Sequence, residues 1–395
     1  YDGLSQSQPV ELFREDGTLA EKISFQGAGR TSSSDDESAA FVQDNWTIKD
    51  RVTVQLGGRL TNQSAGRAAG FAPRIGVAFQ PSKNGKTTIR AGAGYFYDRV
   101  PLLATDFLNN LTRVVSVFGE AGNLLSQPVA YENVYLNQNA GGGFSVTNDP
   151  LNKYSRNFTW NAEVDRELRR NLQVHASYLV SETQNIPIVM PFTSSSGASY
   201  MGLASTGTSH YSEFQTSLSY QAGEQKQFTV TYVHSSAHGD LNSLTDLFVP
   251  FEQPVIRPNA VGPLPENVPD RLLVSAVVGL PFKLTASPII DLHTGLPYSA
   301  VDNFQNYVGA PNTLRYPTFF ELDLQVYKQF SLSSLPFMDH FKKQLNGRIF
   351  RLGLFSLNLT GQPNPNAVFN DVASPQFRNF AGFAHRLEGF VFEMH

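Results

Sequence analysis

The chain has 395 residues, a formal net charge of -4 and no cysteine, and its mean hydropathy is -0.23. The missing thiols exclude disulfides, thiol catalysis and cysteine-held zinc, and without a basic cluster nucleic acid is not an expected partner. No apolar run is long enough for a helical membrane span, yet a transmembrane barrel stays open because its strands alternate lipid-facing and lumen-facing residues.

In chain order, the main signal is period-two alternation. A strand over Glu37–Ile48 carries Val42 and Trp46 on its apolar face, with Asp44 as a charged exception beside them. Arg51–Leu60 sets Val52, Val54, Leu56 and Leu60 against Arg51, Thr53, Gln55 and Arg59. Arg156–Leu168 sets Phe158, Trp160, Ala162, Val164 and Leu168 against Asn157, Thr159, Asn161, Glu163, Asp165 and Glu167. Asn171–Ser181 repeats the pattern with Leu172, Val174, Ala176, Tyr178 and Val180. Pro317–Phe330 repeats it with Phe320, Leu322, Leu324, Val326 and Phe330 opposite Glu321, Asp323, Gln325 and Gln329. Lys283–His293 is a further strand with Pro288 inside it, where a ladder donor is lost. Such strands exceed the ordinary length of about five or six residues and match the roughly ten tilted residues of a bilayer crossing.

The links between them alternate in length. Short ones fall at Lys49–Asp50, Pro81–Gly85, Arg169–Arg170, Ala222–Glu224 and Leu280–Phe282. Long ones fall at Thr61–Gly70, Arg99–Tyr154, Glu182–Thr208, Ala237–Pro269, Gly295–Tyr316 and Leu359–Arg378. Ser331–Lys343 is longer than its place in the alternation predicts. Short periplasmic turns and long outer loops are the habit of outer-membrane barrels. The reading is an all-β fold, an antiparallel up-and-down transmembrane barrel. It has about thirteen strands from Glu37 to a last strand near Phe380–Met394, with one more near Glu21–Gln26.

Several segments resemble TonB-dependent outer-membrane receptors, closest to the Oar-like group. They are Ala40–Leu60 (AFVQDNWTIKDRVTVQLGGRL), Ala72–Asp98, Trp160–Ser181, Pro269–Phe282, Gly295–Tyr298 (GLPY) and Asn358–Asn370 (NLTGQPNPNAVFN), in the family's order. The resemblance implies a bacterial outer-membrane location and a larger barrel, of which residues 1–395 are the C-terminal thirteen or fourteen strands. The N-terminal plug and first strands would lie outside this sequence. It also implies energy-coupled uptake of an extracellular ligand. The expected partners are outer-membrane lipid, the plug, the TonB complex reached through the plug region and the barrel assembly machinery. Family barrels often end on an aromatic residue. Here Phe390, Phe392 and Met394 alternate but the last residue is His395. The alternative is a structural or adhesive outer-membrane protein that uses the same loops.

Candidate site residues follow from the faces. Arg51, Arg59, Arg74, Arg90, Glu163, Asp165, Glu167, Glu321 and Asp323 are expected to line the hydrated lumen. Paired carboxylates also suit acid–base catalysis, but lumen polarity accounts for them, and no catalytic residue or enzyme activity is assigned. Tyr95, Tyr97, Phe158, Trp160 and Tyr178 are expected in a membrane-interface girdle rather than in a sugar-stacking platform. His234, His238 and Asp240 have metal-like spacing only if the strand has ended. On a strand a four-residue gap spans roughly 13 Å, so no metal is assigned. Gly92 and Gly94 form a GxG without a following helix, which argues against a nucleotide site, and no cofactor is expected. Ligand contacts are placed in Arg99–Tyr154, Glu182–Thr208 and Ala237–Pro269.

Overall fold

The computed structural model describes residues 2–4, 8–27, 30–64, 68–148, 154–223, 226–244, 257–331 and 349–394. Thirteen long strands form a wall. They are β1 (Glu37–Ile48), β2 (Val52–Gln63), β3 (Ala68–Phe79), β4 (Thr87–Asp98), β5 (Ser155–Arg169), β6 (Leu172–Thr193), β7 (Ser199–Gln221), β8 (Lys226–Asp240), β9 (Asp270–Leu280), β10 (Leu284–His293), β11 (Phe319–Ser331), β12 (Ile349–Leu357) and β13 (Leu387–Met394). Each pairs antiparallel with the next, so the wall is an up-and-down meander. Among the described residues the ladder does not close: β1 pairs only with β2, and β13 only with β12.

The register sorts side chains into two faces, because directly opposed residues point the same way. One row runs Ile89, Val164, Ala176, Thr216, Tyr232, Leu272, Leu292 and Phe320 across β4 to β11. A neighbouring row on the opposite face runs Thr88, Asp165, His175, Ser217 and Thr231. Large apolar side chains stand bare on the first face, with Trp46 49% and Leu218 45% exposed. A soluble sheet would cover such residues, and lipid is the solvent that needs no cover. Asp44 shares this face, opposite Leu56 and in line with Ile75 on the edge strand. At Pro288 the β9–β10 pairing lapses between Ser275–Ile289 and Val278–Ala286, as a missing donor requires.

Tight turns close one end of the wall, with Lys49 and Asp50 both in the left-handed region, at φ 52° and 53°. Phe282 and Lys283 do the same between β9 and β10, at 63° and 61°. The expected long link Ser331–Lys343 lies, apart from Ser331, outside the described residues.

At the other end five expectations change. Glu182–Thr208 is not an irregular loop: β6 and β7 run on for 22 and 23 residues and turn only at residues 194–198. Thr61–Gly70 is likewise short, since β2 continues to Gln63 and β3 begins at Ala68. The segment near Glu21–Gln26 is a strand, Leu19–Gln26, but not a wall strand. It pairs with Thr112–Val117 and with Val10–Phe13. Thr112–Val117 pairs in turn with Val129–Gln138, which lies parallel to the outer part of β7 and antiparallel to Phe144–Thr147. The long Arg99–Tyr154 link is therefore a folded loop sheet. The expected last strand also divides. Phe380–Ala384 pairs with Asn364–Val368 in a separate hairpin, and only Leu387–Met394 joins the wall.

The buried core lies in this outer assembly. Val100, Ala104, Phe107, Tyr135, Tyr154, Val189, Met201, Leu203 and Leu244 form one cluster. Val134, Leu136, Ile188 and Ala204 form a second. Apart from the outer ends of β6 and β7, the wall contributes no buried residue to either cluster, because a membrane wall presents one face to lipid and one to water.

Candidate functional site

The polar face of β1 to β5 encloses a trough of about 730 Å³, lined by Arg59, Arg74, Arg90, Asn161 and Glu163 among others. Arg59 lies opposite Phe41. Arg74 faces Gly57 and Gly94, and Arg90 faces Glu163, farther toward the tight turns. The three cations thus descend through the wall one strand at a time. Glycines keep the trough open. A Cβ at Gly94 would stand 2.9 Å from the Arg74 side chain, and one at Gly92 would stand 3.0 Å from Asn161 Oδ1.

The structure places the remaining polar candidates as follows. Arg90 Nη1 donates to Glu163 Oε1 at 2.8 Å and to Asp165 Oδ2 at 2.5 Å. Asp165 Oδ1 also meets His175 Nδ1 at 2.8 Å. Lys86 lies 3.9 Å from Glu167. Arg59 lies 4.0 Å from Glu37, which also pairs with Arg99. The Arg74 guanidinium sits 4.6 Å from the Phe96 ring centre. Glu321 opposes Asp291 and Asp323 opposes Ile289, on the same face. Arg51 is not on a strand: it sits in the β1–β2 turn, where its N–H donates to the Ile48 carbonyl.

The aromatic candidates share the apolar face. Tyr95 and Phe158 rings lie 5.0 Å apart, and Trp160 and Tyr178 lie 5.6 Å apart. Arg156 reaches over Tyr95 at 5.4 Å. Tyr220 and Phe228, 6.4 Å apart beside the β7–β8 turn, supply aromatics toward the other end.

His234, His238 and Asp240 do not converge, because β8 continues through Asp240. His234 Nδ1 meets Asp270 Oδ1 at 3.0 Å, and His238 Nδ1 meets Ser236 Oγ at 3.1 Å. Asp240 accepts from Thr208 N and from Asn259 Nδ2, both at 2.6 Å. Among the described residues no group of three His, Asp or Glu converges as a metal cage.

Charge is buried in the loop sheet, where the sequence reading assigned none. Glu21 is 9% exposed. Burial, and secondarily the negative charge of Asp302, push its carboxyl up to about 7. Burial also draws Arg113 down to about 10. Tyr135 donates to the carbonyls of Ala104 and Thr105 at 3.0 and 2.8 Å, and burial raises it to about 12. The alternating pattern hid these residues because the sheet that buries them is assembled from strands far apart in sequence.

The two loop motifs, Gly295–Tyr298 and Asn358–Asn370, meet in a second outer unit. Tyr298 is buried against Tyr316 and Phe380, at 5.5 and 6.3 Å. Asn364 exchanges two hydrogen bonds with the Phe320 backbone, and Asn370 Nδ2 donates to the Ser299 carbonyl at 2.9 Å. Gly295 packs so closely on the Tyr316 backbone that a Cβ would overlap its carbonyl oxygen. These motif residues brace the rim.

Comparison with known proteins agrees with this architecture. The family described as Outer membrane beta barrel domain matches residues 60–305, more than half of the chain. The chain belongs to this outer-membrane β-barrel family. Over 75 residues it is 33% identical to the TonB-dependent transporter Oar of Myxococcus xanthus, a stretch covering 17% of this chain and 7% of that protein. Its fold is similar to the outer membrane transporter YddB of Escherichia coli, with a TM-score of 0.62 and 12% identity, covering 98% of this chain and 48% of the other. It is also similar to the ferric enterobactin receptor PfeA of Pseudomonas aeruginosa, with a TM-score of 0.59 and 11% identity, covering 97% and 52%. The chain spans about half the length of these solved proteins. It is an outer-membrane β-barrel chain, and its fold is similar to that of these solved membrane proteins.

Proposed function

We propose that this chain is the C-terminal wall of a TonB-dependent transporter and that its outer assembly captures a ligand for energy-coupled uptake. The observation that carries this reading is a thirteen-strand wall whose end strands, β1 and β13, each pair on one side only among the described residues, crowned by folded loops. An unpaired edge inside a bilayer leaves a row of peptide groups unsatisfied. Further strands of a longer chain would close the ring, and an N-terminal plug would occupy the lumen. The polar face then becomes the lumen lining, with Arg59, Arg74, Arg90, Glu163, Asp165, Glu167, Glu321 and Asp323 in contact with water or plug. The face that carries Tyr95, Phe158, Trp160 and Tyr178 becomes the lipid side, with these aromatic side chains in the interface belt, whereas Tyr97 packs against Tyr154 and the loop core. Ligand contacts lie in residues 99–154, the tips of β6 and β7, and residues 237–269.

The test is depletion of compounds from growth medium by cells carrying the full-length protein. Parallel cultures carry a variant with residues 119–147 replaced by a short linker, or lack TonB. A compound whose depletion requires both the loop and TonB supports uptake. If cell-surface or protein binding needs the loop but no depletion depends on TonB, the protein is an adhesin.

A further inference from the structure

The outward face of the wall carries a cross-strand histidine pair that linear spacing conceals. His238 of β8 lies directly opposite His210 of β7, and His210 lies directly opposite Glu182 of β6. His210 is eleven positions from the turn end of β7 at Gln221, and His238 is twelve from Lys226. Roughly ten tilted residues cross the hydrocarbon, so the row Glu182–His210–His238 stands just outside it. Both imidazoles are exposed.

We propose that His210 and His238 bind one divalent transition-metal ion through their Nε2 atoms. Directly opposed residues hold their Cβ atoms about 4.5–5.5 Å apart, and an imidazole nitrogen binds such an ion at about 2.0–2.1 Å. Two rings leaning together therefore straddle one ion. Their other nitrogens face polar partners: His238 Nδ1 lies within hydrogen-bond reach of Ser236 Oγ at 3.1 Å, and His210 Nδ1 lies 3.7 Å from the Glu182 carboxylate, an ion-pair distance. In the tautomer with the proton on Nδ1, both Nε2 lone pairs are free to bind an ion. Glu182 and Ser236 are thus positioning residues. The pair His234 and His238 forms no such site, since His234 is two rows away and turned to Asp270, and Asp240 is committed to Thr208 and Asn259. Two protein nitrogens leave positions for water, so the ion exchanges, and imidazole donors favour Cu²⁺ over Ni²⁺ and Zn²⁺.

The experiment titrates CuCl₂ into the full-length protein in detergent micelles, read by calorimetry and by the nitrogen hyperfine pattern in electron paramagnetic resonance. The expected result is one equivalent with two imidazole nitrogens that vanishes in the double variant H210A/H238A. H234A and D240N should leave it intact, and E182Q should weaken it by about tenfold, as loss of an orienting partner does. Each variant is first checked for the heat-dependent gel shift of a folded barrel. An unchanged number of equivalents in H210A/H238A overturns the proposal, and so does loss of the site in H234A.

Discussion

Glu21 shows how one side chain couples the outer assembly to pH. Its carboxyl ordinarily titrates near 4.5, and burial followed by Asp302 raises it to about 7 in the folded chain. Between those values the folded state keeps a proton that the unfolded state releases. The packing around Leu19–Gln26 is therefore fully stabilised below about 4.5 and loses that contribution as pH rises through about 7. Hydrogen exchange of residues 19–26, corrected for intrinsic rate, should accelerate between pH 5.5 and 8.5, and E21Q should remove the acceleration. Equal corrected exchange at both pH values would contradict this. Gly295 gives a steric counterpart. Gly295→Ala forces the Tyr316 backbone away and should cost several kcal/mol locally, seen as faster proteolysis within residues 295–316. Gly141→Ala, with open space around its Cβ position, should change nothing measurable. Arg90→Ala leaves Glu163 and Asp165 without their shared cation. Arg90 and Asp165 are exposed and Glu163 keeps partial solvent contact, so stability should fall by no more than about 1 kcal/mol.

Among elements, the wall strands were the most legible in sequence, because lipid on one side and water on the other enforce strict alternation. The β5 pattern of Phe158, Trp160, Ala162 and Val164 against Asn157, Thr159, Asn161 and Glu163 reappears in its register with β4 and β6. Alternation failed where that two-solvent rule stops. In the outer part of β6, Ile188 and Val189 are buried in succession, as are Met201, Leu203 and Ala204 in β7. Both faces pack there, so the segment has no polar side and reads as a loop. Glu21–Gln26 reads as a wall strand because Ile23 and Phe25 alternate with Lys22, Ser24 and Gln26, but Ala20, Glu21 and Ile23 are all buried in the loop sheet and fit neither face of a membrane strand. The Phe380–Met394 run breaks at His385 and Arg386, which lie outside both strands. The His210–His238 pair was invisible because cross-strand register is not a linear spacing. An element-level test compares Val164→Arg with Ser177→Arg. Val164 is on the bare apolar face about mid-span, where arginine costs roughly 2–4 kcal/mol. Ser177 lies opposite Glu163 on the polar face and should accept it. The folded, heat-modifiable fraction should fall sharply for the first substitution only.

The described residues divide into a wall with few buried side chains along its membrane-crossing part and an outer assembly, which includes the outer ends of β6 and β7, that holds both core clusters. This division follows from where water and lipid are. The wall is held by backbone ladders, which in a bilayer have no competing solvent. The loops face water and need Phe107, Leu203 and Leu244 buried to stay folded. In the proposed transporter this packed rim would present its surface to a ligand, with the arginine steps of β2, β3 and β4 beneath it.

The most direct test of the two-faced wall is a nitroxide scan along β5 in the full-length protein in bilayers, using single cysteines from residue 157 to 166. Collision rates with oxygen, which concentrates in lipid, should peak at 158, 160, 162 and 164. Collision rates with a water-soluble nickel chelate should peak at 157, 159, 161 and 163, two-residue periods in opposite phase. In-phase accessibility to both reagents, or a nickel peak at 160 and 164, would mean that this face does not meet lipid, and the barrel reading would fall.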